Sequence, residues 1–119
     1  MWFGRSASGK PIFALPGNPV STLVCAARYI VPALRAALGE RPREPELVAL
    51  STATEASPEL TYFLPVKLSS APTGVALAEP RPTNTSGDFV SLVNTDGFIE
   101  LPPLRGQHPA GTVARLYRW

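Results

Sequence analysis

Apolar and polar positions follow two different rhythms along these 119 residues, and the change falls near residues 40 to 45. Before it, Pro11-Ile12-Phe13-Ala14-Leu15 is a short unbroken apolar run, the pattern of a strand covered on both faces. Residues 1 to 10 predict a turn or loop leading into that strand, with the turn signal in Ser8-Gly9-Lys10-Pro11. From Pro19 to about Leu38 the period becomes helical. At about 100° per residue, Val20, Leu23, Val24, Ala27, Val31, Leu34 and Leu38 fall in one stripe that should pack on a sheet. The opposite side, with Thr22, Cys25, Ala26, Tyr29, Ala33 and Ala36, is small or apolar, and Arg28 and Arg35 run along one edge of the stripe. Pro32 removes a backbone donor and crowds the Arg28 carbonyl, so the helix should bend there. Gly39 supplies a C′ residue, and Pro42 bars a restart.

From Glu46 onward the pattern breaks into short apolar segments divided by turns. Leu47 to Thr54, Tyr62 to Leu68, Gly74 to Ala78, Phe98 to Leu101 and Val113 to Tyr117 predict strands of a small antiparallel sheet or barrel. A longer polar connection, Glu79 to Thr95, lies between the third and fourth. The first segment is different in kind. A strand apolar on both faces and a helix without a wet face belong in a parallel α/β sheet, yet one strand and one helix do not make such a sheet. Their partners are expected upstream in a longer polypeptide or on another chain.

Composition narrows the function classes. Lys and Arg number 11 against 9 Asp and Glu, a formal charge of +2, and the basic residues are scattered, so the charge stripe that nucleic acid requires is absent. Arg41-Pro42-Arg43, flanked by Glu40 and Glu44, has the composition of a solvated linker. No apolar run suggests a membrane span and Met1 to Lys10 lacks a signal-peptide core, so the cytoplasm is the expected compartment. The single cysteine, Cys25, makes no internal disulfide, and with His108 it makes no metal cluster. Cys25 reads as a packing residue inside the helix and His108 as a turn residue before Pro109. Tyr62, Phe63, Phe89, Phe98, Tyr117 and Trp119 alternate within strand segments, which points to core packing.

Candidate chemistry concentrates at Leu15-Pro16-Gly17-Asn18-Pro19-Val20-Ser21, where strand passes into helix. Asn18 is a favoured N-cap and Pro19 suits the first helical position. A tight turn of this kind leaves the first N–H groups of the helix unpaired and pointing outward, a seat for an oxyanion or phosphate; its plainer role is to start a helix.

The run Gly9 to Ser21, followed by Val31-Pro32-Ala33-Leu34 and Gly39, resembles the C-terminal part of the molybdopterin molybdenumtransferases, the bacterial MoeA and gephyrin E-domain family. Thr85-Ser86-Gly87-Asp88-Phe89-Val90-Ser91-Leu92 resembles that family's Gly-Ser-Gly loop, Asp96 to Pro102 the turn and strand after it, and Ala110-Gly111-Thr112-Val113 the start of its last strand. The resemblance implies an α+β fragment: one strand–helix unit from a parallel α/β sheet, followed by a small, mostly antiparallel β-barrel. Residues 1–42 would be the remnant of a molybdopterin-binding-like α/β domain and 46–119 the barrel domain. The implied activity is insertion of molybdate into adenylylated molybdopterin with release of AMP, with magnesium and molybdate as cofactors of the parent enzyme and neither bound by this chain alone. Implied partners are the missing upstream domains and a second copy in a homodimer, with no nucleic acid and no membrane.

By resemblance, Pro16, Gly17, Asn18, Pro19 and Ser21 form the helix-start loop beside the pterin site, and Ser86 and Gly87 the barrel loop facing the same cleft. Gly17 would allow close approach, and the hydroxyls of Ser21 and Ser86 would donate to an oxyanion. No catalytic residue and no metal ligand is implied. The family pattern Gly-Arg-x-x-Phe-x-Arg is replaced by Leu60-Thr61-Tyr62-Phe63-Leu64-Pro65, so both arginine clamps are lost, with Lys67 nearby and surface solvation its expected role. Glu55, Glu59, Asp88, Asp96 and Glu100 sit at turns or strand edges and do not replace the family's acidic and nucleotide-contacting motifs, which lie upstream. The chain is therefore expected to supply anion-holding loops without turning over substrate by itself. The competing expectations are a non-catalytic docking or assembly module, binding a peptide along a strand edge, and an inactive remnant.

Overall fold

The computed structural model describes residues 1–83 and 88–119. The predicted opening loop is instead a strand. β1 (Trp2–Arg5) pairs antiparallel with β2 (Pro11–Ala14), with Phe3 opposite Phe13. The run Trp2-Phe3-Gly4 is too short, and interrupted by its glycine, to show a period, whereas the turn at Ser6 to Lys10 closes with two backbone hydrogen bonds. Trp2 folds its indole back over Gly4, filling the space where a Cβ would stand. The apolar run of β2 is not enclosed: Trp2, Phe3, Ile12 and Leu15 are all exposed.

The helical stretch runs from α1 (Pro19–Cys25) through a π turn (Ala26–Ile30) to α2 (Val31–Ala37). Pro32 accounts for the middle. Its missing N–H leaves the Arg28 carbonyl without the usual partner, and the Val31 N–H bonds to Ala26 five residues back, widening the turn that the proline ring abuts. The end is a Schellman motif: Gly39, at φ +79°, lets the Glu40 N–H reach the Arg35 carbonyl and its own N–H reach Ala36. By length and composition alone, Pro19–Ala37 is also apolar enough to cross a membrane, a test that a core helix of a soluble protein passes as well.

After an exposed connection, a five-stranded closed barrel is built from β3 (Glu46–Leu50), β5 (Tyr62–Ser70), β6 (Ala76–Pro80), β7 (Gly97–Leu101) and β9 (Val113–Arg118), in the order β3-β6-β5-β7-β9. Only β3 and β6 pair in parallel; every other pair is antiparallel. The predicted strand 47–54 is broken after Leu50, and a separate piece, β4 (Thr54–Glu55), pairs with β8 (Gln107–His108). A turn at Ala71–Gly74 delays β6 beyond its expected start. Strand alternation sends Val48, Leu50, Leu64, Val66, Ala78, Ile99, Leu101, Ala114 and Leu116 into the barrel interior.

A second cluster forms outside the barrel wall. Phe98 and Tyr117 point away from the interior and, with Val24 of α1, close a small core that Ala27 and Phe63 border. Phe98 stacks on Tyr117 at 5.0 Å, meets Phe63 edge-on at 5.7 Å and tilts against Trp119 at 5.3 Å. The helix thus docks on the barrel, using only part of its predicted stripe. Val24 is its one buried residue, while Leu34 and Leu38 are exposed at 58% and 80%. Of the aromatic residues expected in packing positions, Phe89 and Trp119 are exposed instead, although Trp119 still tilts against Phe98.

Candidate functional site

The helix-start loop is held by its own side chains. Asn18 is extended (φ −75°, ψ 124°); its Oδ1 accepts the Ser21 N–H at 3.0 Å and its carbonyl accepts the Thr22 N–H at 2.9 Å. The Thr22 hydroxyl donates back to the Pro16 carbonyl. The cap therefore satisfies two of the donors that sequence reasoning left pointing outward. Among the described residues, the Val20 N–H and the Ser21 hydroxyl remain without a partner. A Cβ at Gly17 would meet nothing within 4 Å, so no atom of this chain demands glycine there.

Ser86 and Gly87 lie outside the described residues. Asp88 accepts the Ser91 N–H at 3.2 Å and the Ser91 hydroxyl, shaping the single helical turn Val90–Leu92. Next to this turn is an open cleft of about 660 Å³ lined by Lys67, Pro80, Arg81, Pro82, Ser91 and Asn94. Two cations share it. Lys67 Nζ lies 3.2 Å from Asp96 Oδ1, and the Arg81 guanidinium 3.0 Å from Glu79. Asp96 is held below the usual carboxylate range by the Leu68 N–H, at 2.7 Å, and then by Lys67.

Lys67, expected from the sequence to be solvated at the surface, is exposed, and Arg81 is the lining residue sequence reasoning missed. Leu64 and Val66 point inward, so Pro65 and Lys67 share the outer face of β5, a parity the sequence left open. Arg81 follows β6, and its N–H bonds to the Pro65 carbonyl, bringing it beside that face. No signal in the linear sequence joined the two, which are separated by a turn and a strand. None of this cleft's lining comes from Pro16–Ser21.

The remaining side chains have structural surroundings. His108 is a strand residue rather than a turn residue, buried at 4% exposure, with Nε2 at 3.0 Å from the Pro102 carbonyl. Cys25 ends α1, half-buried. Glu100 accepts both Arg28 and Tyr117, Glu55 accepts Gln107, and Asp96 is committed as above. Among the described residues no three His, Cys, Asp or Glu side chains converge.

Comparison with known proteins decides the family. The family model of the MoeA C-terminal region (domain IV) matches residues 48–119, which is nearly the whole barrel and more than half of the chain. The chain belongs to the MoeA family. It is 41% identical over 120 residues to a molybdopterin molybdenumtransferase of Synechocystis sp., covering 100% of this chain and 28% of that protein. A molybdopterin molybdenumtransferase 2 of Mycobacterium tuberculosis is 32% identical over 115 residues, covering 96% and 28%. The crystal structure of a molybdopterin biosynthesis MoeA protein from Pyrococcus horikosii superposes with a TM-score of 0.73 at 31% identity, covering 98% of this chain and 28% of that one.

This MoeA chain thus spans 28% of the length of these curated relatives. The match to the Pyrococcus structure extends beyond the barrel, because 98% coverage includes the hairpin and the helix. Where MoeA proteins are expected to carry an arginine within the second barrel strand, this member has Pro65, buried and without a side-chain donor. Two residues on, Lys67 presents an ammonium from the same outer face.

Proposed function

We propose that this chain is the C-terminal portion of a molybdenum insertase, contributing anion-holding surface to the transfer of molybdate into adenylylated molybdopterin. The observation that carries the proposal is the Lys67–Arg81 cleft beside the Asp88–Ser91 turn, in a chain whose relatives are named molybdopterin molybdenumtransferases. An ammonium has three donors and a guanidinium five; one contact of each goes to Asp96 and Glu79, leaving others for a tetrahedral oxyanion. The Ser21 hydroxyl, the Val20 N–H and the open approach over Gly17 would serve a second anionic group, with Pro16, Asn18 and Pro19 holding the loop in shape. Ser86 and Gly87 belong to this proposal through the family resemblance.

On this reading residues 1–42 are the last strand–helix unit of an α/β domain and 46–119 are the barrel domain. The exposed apolar surfaces of Trp2, Phe3, Ile12, Leu34 and Leu38 are where the rest of the enzyme and its homodimer partner would lie. Magnesium and the nucleotide contacts would come from that remainder, in the cytoplasm.

Titration with molybdate of the whole enzyme, this chain together with the domains that complete its pocket, followed by calorimetry, tests the cleft. A charge-assisted hydrogen bond is worth about 1.5–3 kcal/mol, so Lys67→Ala should weaken molybdate by about ten- to a hundredfold. Arg81→Ala should weaken it in the same direction. Equal affinity in the original chain and both variants would remove the cleft from the site.

A further inference from the structure

The contact that seats the helix on the barrel is small and, in its apolar part, without direction. Val24 and Ala27 lie against the rings of Phe98 and Tyr117, and a valine and an alanine on ring faces resist neither sliding nor rolling of a helix about its axis. Beside them is a contact with fixed geometry. Arg28 Nε donates to Glu100 Oε2 at 3.0 Å, and the Tyr117 hydroxyl donates to the same oxygen at 2.7 Å. The guanidinium carbon sits 5.0 Å from the Tyr29 ring centre and 5.2 Å from that of Tyr117. Arg115 stands over Tyr117 at 5.0 Å. Arg28 and Glu100 side chains are about three-quarters buried, at 28% and 27% exposure.

Arg28 also occupies the middle of the π turn, where the helical ladder is interrupted ahead of Pro32. Upstream, α1 carries the Pro16–Ser21 loop; downstream, α2 is exposed along its whole length. We infer that Arg28 is a positioning residue: its bond to Glu100 and its stacking between Tyr29 and Tyr117 lock α1 at one orientation on the barrel wall. The lock thereby sets the separation between the helix-start loop and the Lys67–Arg81 cleft. Its importance for ligand binding rests on the proposed function, while the lock itself is read from geometry alone.

Spin labels at Ala14→Cys, on the exposed end of β2, and Val113→Cys, exposed at 64% on the barrel, would report that separation in the full chain carrying Cys25→Ser. Pulsed electron spin resonance should give one narrow distance distribution. Arg28→Ala should at least double its width. Arg28→Lys should stay broad, since an ammonium keeps the charge and loses the planar stack. The barrel's near-ultraviolet dichroism should persist in both. An unchanged width in Arg28→Ala would overturn the inference, showing that Val24 and Ala27 suffice. Should Arg28→Ala aggregate, Glu100→Gln is judged the same way: a widened distribution supports the lock and an unchanged one refutes it. Molybdate titration of the unlabelled variants separates the two proposals. A widened distribution with unaltered affinity keeps the lock and removes the Pro16–Ser21 loop from the anion site.

Discussion

Removing the Phe98 ring is the sharpest test of how helix and barrel are joined. Phe98 is fully buried although it points out of the barrel, because Val24 covers it from the helix and Phe63, Tyr117 and Trp119 surround it on the wall. Phe98→Ala loses the transfer energy of the ring and leaves a cavity that three stiff rings cannot collapse into, at about 3–5 kcal/mol. Set against a total stability of order 6–18 kcal/mol for a chain of this size, that is a large fraction. At about 2.1 cal/mol/K per residue the unfolding entropy is about 250 cal/mol/K, so a loss of about 4 kcal/mol lowers Tm by about 16 °C. Thermal unfolding followed by far-ultraviolet dichroism gives the shift, and the near-ultraviolet signal of Tyr117 and Trp119 should weaken alongside. A fall of less than about 4 °C, equivalent to about 1 kcal/mol, with the near-ultraviolet signal intact, would mean that the helix does not rest on this wall.

Gly97→Ala tests the closeness of β7 to β9. An added Cβ would collide with the Tyr117 carbonyl oxygen, a backbone atom held in the sheet, so about 1–3 kcal/mol should be lost in denaturant titration. No loss would show that the two strands separate there. Tyr117 gives a pH window at the alkaline end. Burial first, then the hydrogen bond to Glu100, pushes its phenol up to about 12. Below pH 10 it is neutral in both folded and unfolded chains and its contribution is fully present; as pH rises from about 10 to about 12 the unfolded chain ionises first and that stability is lost. Tyr117→Phe should flatten this alkaline decline in Tm, and an identical decline in both proteins would refute the assignment.

Much of the fold was legible in the linear pattern because it depends on neighbours in sequence. Asn18-Pro19 at the helix start and Gly39 at its end are local chemistry, and the structure uses them as caps. Alternation in 62–68, 98–101 and 113–117 identified strands whose inward residues now line the barrel. The MoeA resemblance also lay in contiguous motifs. Strand β1 escaped because four residues, one of them a glycine, show no period until β2 pairs with them. Pro32 marks in the sequence a disturbance of the helix, whereas its form, a π turn, depends on which carbonyls the neighbouring donors reach.

What only tertiary structure decided is which residues, distant in sequence, share a face. Parity on β5 put Lys67 on the outer surface, and the return of β6 brought Arg81 beside it, forming a cationic cleft that neither segment announces alone. The same is true of Arg28, Glu100 and Tyr117, which meet because a helix edge settles across two strands of a closed sheet. Backbone periods and caps are short-range and can be read residue by residue. The side-chain geometry of a site is set by strand register and docking, which exist only once the chain has closed on itself.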